Sequence, residues 1–86
     1  MSIRVELTYD MSKALGLQHF DVEAAATVRE IVQQTQARFP GGEEFAKLAR
    51  VAAIAVNGVL INHRKGMKTK LSDGDRVGFV KAAAGG

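Results

Sequence analysis

The sequence predicts an α+β domain: a mixed sheet of four to five strands, with one main helix packed on one face and a second short helix beside it. Three observations carry that prediction. Apolar residues alternate with polar ones at the start of the chain, as in a half-buried strand. The apolar period then lengthens to three and four residues, as on a helix with one buried face. Finally, Asn57-Gly58 separates two apolar runs, and this dipeptide suits a tight hairpin because both residues tolerate positive φ. With 86 residues the chain supports a single core, and a helix laid on a sheet is the simplest way to close one.

The elements follow in order. Ile3, Val5, Leu7 and Tyr9 face inward from a first strand, and Arg4, Glu6 and Thr8 face solvent. Residues 10–16, with Ser12, Lys13 and Gly16, read as a connection. Phe20 and Val22 face inward from a second strand, with His19, Asp21 and Glu23 outward, so an antiparallel pair is expected. Val28, Ile31, Val32, Thr35 and Phe39 mark the main helix. Thr27 and Glu30 are spaced to bond each other's backbone N–H as a capping box, a feature whose loss costs about 1 kcal/mol. Pro40 stops the helix and Gly41-Gly42 allows a reversal.

A short helix over 43–50 has Glu43 and Glu44 at its positive end, Lys47 and Arg50 towards its negative end, and Phe45, Leu48 and Ala49 on an apolar edge. Residues 51–56 are almost continuously apolar, as in a central strand covered on both faces. Val59, Leu60 and Ile61 form its hairpin partner. Residues 63–70 are a basic irregular stretch, Ser72-Asp73-Gly74-Asp75 is a turn, and Val77 and Phe79 give a last strand its inward face. The organisation is thus one domain over 1–81 and a flexible tail over 82–86.

Composition excludes several classes of function. There is no cysteine, so disulfide scaffolds, thiolate metal sites and cysteine nucleophiles are ruled out. No apolar run approaches the roughly 20 residues of a bilayer span, and the charged start lacks a secretion signal. These features point to a soluble cytoplasmic protein without a membrane partner. Twelve basic and nine acidic residues give a net charge of +3, too modest to indicate nucleic acid, and the few aromatics occupy core positions rather than stacking platforms.

Enzyme motifs are equally sparse. His19 and His63 are isolated surface positions without metal-ligand spacing. Ser2, Ser12 and Ser72 lack a nucleophile elbow, and no phosphate loop is present. Asp73 and Asp75 flank Gly74 as turn formers rather than as paired catalytic acids. The cluster of His63, Arg64, Lys65, Lys68 and Lys70 could hold phosphate or an acidic protein surface, or be a solvated loop, which the modest net charge favours.

The informative feature is the tail, Ala82-Ala83-Ala84-Gly85-Gly86. Gly85 and Gly86 have no Cβ to obstruct a narrow channel, and Ala84 keeps the approach thin. Extended, five residues reach about 16–18 Å. The Gly86 carboxylate is ionised at neutral pH and is a poor acyl donor until activated.

On these residues the chain resembles the MoaD/ThiS family of β-grasp sulfur carriers, relatives of ubiquitin in fold. It is most similar to the small subunit of molybdopterin synthase, over essentially its whole length. The resemblance lies in the loop over 9–16, Ala26-Thr27-Val28, Phe39-Pro40-Gly41, Ala55-Val56-Asn57-Gly58, the run from Leu71 to Val77, and the Gly85-Gly86 ending. It implies a non-catalytic carrier that binds no cofactor. A partner adenylyltransferase, related to ubiquitin-activating enzymes and using ATP and Mg²⁺, adenylates Gly86. A sulfur-donor protein then supplies the sulfur of a C-terminal thiocarboxylate. The large molybdopterin synthase subunit, or another sulfur-accepting enzyme, receives it. Gly85 and Ala84 thread the tail, and Val80 with Arg64, Lys65 and Lys68 are the candidate docking residues.

Two departures from the molybdopterin subunits are visible. Residues 81–84 lack the prolines and the bulkier apolar residue often found there, and the loop over 63–70 is more basic. The segment over 40–50 is longer than in thiamine-pathway carriers. Carriage for thiamine, cysteine or natural-product pathways, and conjugation to lysine as a ubiquitin-like modifier, stay open at this point.

Overall fold

The computed structural model describes residues 1–81. Its strands are β1 (Ile3–Glu6), β2 (His19–Val22), β3 (Ala52–Val56), β4 (Val59–Leu60) and β5 (Arg76–Lys81), and its helices are α1 (Tyr9–Leu15), α2 (Val28–Arg38) and α3 (Gly42–Ala49). Two single 3₁₀ turns, Ile61–His63 and Gly66–Lys68, fill the basic stretch. The five strands form one sheet in the order β2-β1-β5-β3-β4. Only β1 and β5 run parallel; every other pair is antiparallel. The α+β architecture expected from sequence is therefore present.

Alternation decides which face of the sheet is covered. Ile3, Val5, Phe20, Val22, Ile54, Val56, Val77 and Phe79 point to one side and are buried with residues of all three helices in one cluster. Arg4, His19, Asp21, Arg76 and Val80 alternate with them and are exposed. β3 departs from the expectation of cover on both faces, because Ala53 and Ala55 on its second face are only half-buried. Alanine makes a continuous apolar run without demanding burial, so the run reads as more hydrophobic than its environment.

The segment after β1 is the main correction. The expected inward alternation stops at Glu6, and Tyr9 is 75% exposed. Residues read as a connection form α1 instead. The Thr8 hydroxyl accepts from the Met11 N–H at 3.1 Å, Gly16 closes the helix at φ 81°, and Met11 is its buried residue. β1 and β2 still pair antiparallel, with Val5 opposite Phe20, but through a helical connection.

The cap of α2 is also shifted by one residue. Thr27 accepts from the Glu30 N–H at 3.3 Å as expected. The Glu30 carboxylate reaches past Thr27 and accepts from the Ala26 N–H at 3.2 Å. At its other end, α2 guards the sheet edge. Arg38 donates to the Asp21 carbonyl at 3.1 Å, and its guanidinium lies 4.9 Å from the Phe39 ring centroid and 5.4 Å from that of Phe20. Covering an edge carbonyl in this way blunts strand addition at β2.

Gly41 and Gly42 matter for a different reason than chain reversal. Neither has positive φ. A Cβ on Gly41 would collide with the Ala14 carbonyl, and one on Gly42 with the backbone of Gln36. The pair lets α3 start hard against α1 and α2. Gly42→Ala should therefore destabilise by about 1–3 kcal/mol, the usual range for overpacking. Gly78→Ala, where φ is not positive and a Cβ meets open space, serves as the comparison in urea denaturation: a Gly42→Ala midpoint equal to wild type would contradict the close approach.

Asn57 at φ 51° and Gly58 at φ 83° make the expected tight turn between β3 and β4. The Asn57 side chain does a second job: it donates to Asp75 Oδ1 and accepts from the Arg76 N–H, both at 2.9 Å. Asp75 Oδ2 accepts from the Ser72 N–H at 2.8 Å, and Asp73 Oδ1 from the Ser2 N–H at 2.7 Å. The two carboxylates are turn formers, as expected. The Ser72 N–H first, then the Asn57 amide, hold the Asp75 carboxyl below the usual aspartate value against an opposing effect of burial, with the charge of Arg64 adding least.

A depressed folded-state pKa gives stability that is present above the unfolded value, about 3.9, and is lost as pH falls through the folded value. The stability difference between wild type and Asp75→Asn should thus be largest above pH ~4 and shrink on further acidification. Thermal melts across the acid range would show it; a constant difference would remove Asp75 from the acid response.

Candidate functional site

The strand that leads into the tail is the best supported strand of the sheet. β5 lies between β1 and β3, paired with β1 over Arg76–Gly78 and with β3 from Val77 to Lys81, so that Val77 is opposite both Val5 and Val56. Lys81 is still in register, opposite Ala52. Whatever engages residue 82 onward therefore acts on a root held in the sheet by its pairing with β3. The predicted positions Ala84, Gly85 and Gly86 lie outside the described residues.

Two surfaces adjoin this root. The open face of the sheet carries Val80, 52% exposed, with Ala53 beside it in register. Ala55 is flanked by Gly78 and Leu60. The far half of the same face is ionic: Arg4 and Arg76 reach the two oxygens of Glu6 at 3.2 and 3.6 Å. These exposed pairs contribute little to stability, on the order of 0–1 kcal/mol each, but they divide the face into a small-residue apolar half and a charged half.

The second surface is a cleft of about 380 Å³ beside Lys81, walled by Tyr9, Leu48 and Val51. Tyr9 at 75% and Val51 at 69% are the most exposed of the large apolar side chains. The sequence reading missed this cleft because it placed both residues in strands. Only a cap signal, Thr8 before the segment and Gly16 after it, could have freed Tyr9 from the sheet.

The predicted docking residues do not form one patch. Arg64 acts on Asp75, just before β5 begins, whereas Val80 lies near its end, about 13 Å further along a strand. The turn containing Lys68 packs against α2, on the covered side of the sheet. His19 and His63 are exposed as expected. Among the described residues no group of three His, Cys, Asp or Glu side chains is placed to hold a metal ion, and no helix is long and apolar enough to cross a membrane.

Residues 9–86 match the ThiS family. The chain belongs to that family. No curated protein matches the sequence. Among solved structures, a chain of the Helicobacter pylori complex of molybdopterin-converting factor subunits 1 and 2 is 26% identical, with a TM-score of 0.68 and full coverage of both chains. A chain of the Amycolatopsis orientalis BexX/CysO complex is also 26% identical, with a TM-score of 0.77, covering 98% of this chain and 99% of that one. The small archaeal modifier protein 1 of Methanosarcina acetivorans shares the fold at 19% identity, with a TM-score of 0.78 and coverage of 99% and 96%. The ThiS-family protein described here is thus a ubiquitin-like β-grasp domain of the sulfur-carrier type. Small carriers of this type are not themselves catalysts.

Proposed function

We propose that this ThiS-family protein carries sulfur as a thiocarboxylate on Gly86 and delivers it in molybdenum cofactor assembly. The observation that carries the reading is the placement of β5: a centrally bonded strand, ending at Lys81, feeds an Ala-Ala-Ala-Gly-Gly run. A domain built this way is a handle for its own end. A partner adenylyltransferase transfers the adenylyl group of ATP, with Mg²⁺, to the Gly86 carboxylate and releases pyrophosphate. Sulfide-level sulfur from a donor protein displaces AMP. Gly85 and Ala84 pass the thiocarboxylate into the acceptor, with Val80 and the apolar half of the open face against the partner.

The molybdopterin destination is supported by the Helicobacter pylori complex, whose matched chain is covered over its full length. The BexX/CysO complex, at the same identity, favours a second reading in which the same thiocarboxylate feeds another sulfur-accepting enzyme. Both readings share the first test. Intact-mass analysis after incubation with the cognate adenylyltransferase, ATP and a sulfur donor should show one oxygen exchanged for sulfur. Charged protein mixed with a large molybdopterin synthase subunit and its pterin precursor should then lose the sulfur. No exchange would end the carrier reading; exchange without discharge would move the destination to the second reading. Reductant-resistant, higher-mass lysine conjugates would instead indicate a modifier.

A further inference from the structure

The basic stretch has no part in the sheet, and it borders a concavity among the described residues. This trough, about 640 Å³, runs between the outer faces of α2 and α3 and the β3–β4 side of the sheet. Val32, Ile54 and Met67 supply its apolar lining. Arg29 on α2 and Arg50 at the end of α3 stand on its walls, with the amides of Gln36 and Asn62. No carboxylate lines it, and neither arginine is in an ion pair among the described residues. Lys65 and Lys68 flank Met67 in the chain and extend the same sign of charge.

We propose that this trough is a second docking site, and that its occupant is an acidic amphipathic segment of a partner protein. Two free guanidinium groups without a local carboxylate match carboxylates in bidentate geometry, and the apolar lining takes the segment's hydrophobic side chains. Lysines at the rim speed encounter with an acidic partner. A small molecule fits less well, because such ligands are usually enclosed over most of their surface and these arginines and Asn62 are exposed. Nucleic acid fits less well too, since no aromatic ring lines the trough for stacking. The α2 wall, from Arg29 to Gln36, is about two turns or 10 Å long, room for a short segment. Its α2 and α3 walls lie on the helical side of the sheet, and Val80 is not among the residues that line it.

The test is an NMR titration of the ¹⁵N-labelled full chain with a synthetic amphipathic leucine–glutamate peptide. The expected shifts fall on the amides of Val32, Gln36, Arg50, Asn62 and Met67. The exposed double substitution Arg29→Glu/Arg50→Glu should weaken binding at least about tenfold and transfer the preference to the peptide with lysine in place of glutamate. Deleting Gly86 should leave binding unchanged, which separates this site from the carrier reading. Absence of shifts, shifts centred on Val80, or loss of binding on deleting Gly86 would overturn the proposal. So would tighter binding of pyrophosphate or a single-stranded oligonucleotide at the same residues.

Discussion

Deleting Gly86 should abolish thiocarboxylate formation while leaving thermal unfolding unchanged. Truncation moves the carboxylate back by one residue, about 3.5 Å along an extended chain. Acyl transfer demands near-contact between reacting atoms, and a misplacement of about 1 Å can already cost on the order of 100-fold. The truncated chain should therefore be charged at least about 100-fold more slowly, followed by intact mass over time. Gly85→Val should fail similarly, because its branched Cβ is carried into the channel that the glycine leaves clear. Neither change touches the buried cluster that holds the domain together, so both should melt within about 0.5 kcal/mol of wild type. Charging of the truncated protein at the wild-type rate would show that the chemistry resides elsewhere.

The contrast between a fixed strand and a replaceable end also explains what could be read from sequence. Strands with one buried face announce themselves by alternation, so β1, β2 and β5 were legible through Ile3, Val5, Phe20, Val22, Val77 and Phe79. α2 was legible because its buried face recurs over eleven residues. α1 was not, because seven residues with a single buried side chain, Met11, hold too few turns to establish a helical period. Its caps carried the information, and a strand pattern running through Leu7 and Tyr9 masked them.

The chemistry proposed for the tail comes from its composition together with the family resemblance, and neither of these points to the residues beside its root. Tyr9 and Val51 meet at the cleft beside Lys81 only because α1 and the end of α3 converge there. Arg64 and Val80 are separated because the loop folds back to Asp75, just before β5 begins, whereas Val80 lies near the end of that strand. Sequence proximity of a basic loop to a last strand says nothing about which end of that strand it meets.

Phe45→Ala should be the most damaging single substitution in the core. Phe45 is fully buried on α3, and its ring meets that of Phe79 on β5 edge-on, with centroids 5.4 Å apart. Removing a buried phenyl ring costs about 3–5 kcal/mol, from lost burial and the cavity left behind. A domain of this size has about 4–13 kcal/mol in total, at 0.05–0.15 per residue, so the variant should be partly unfolded or nearly so. Phe45→Leu refills most of the volume and should cost clearly less, keeping the experiment readable if the alanine variant does not fold. Urea denaturation gives both values; a Phe45→Ala cost below about 1 kcal/mol would mean that α3 is not part of the cooperative core. The position of the loss matters as well. Phe79 belongs to the strand that roots the tail, so hydrogen exchange in Phe45→Leu should rise more at Phe79 and Val80 than at Phe20 and Val22 on the β2 edge. Charging of Gly86 should nevertheless persist in that variant below its melting temperature, because the reacting carboxylate lies beyond the strand that Phe45 steadies.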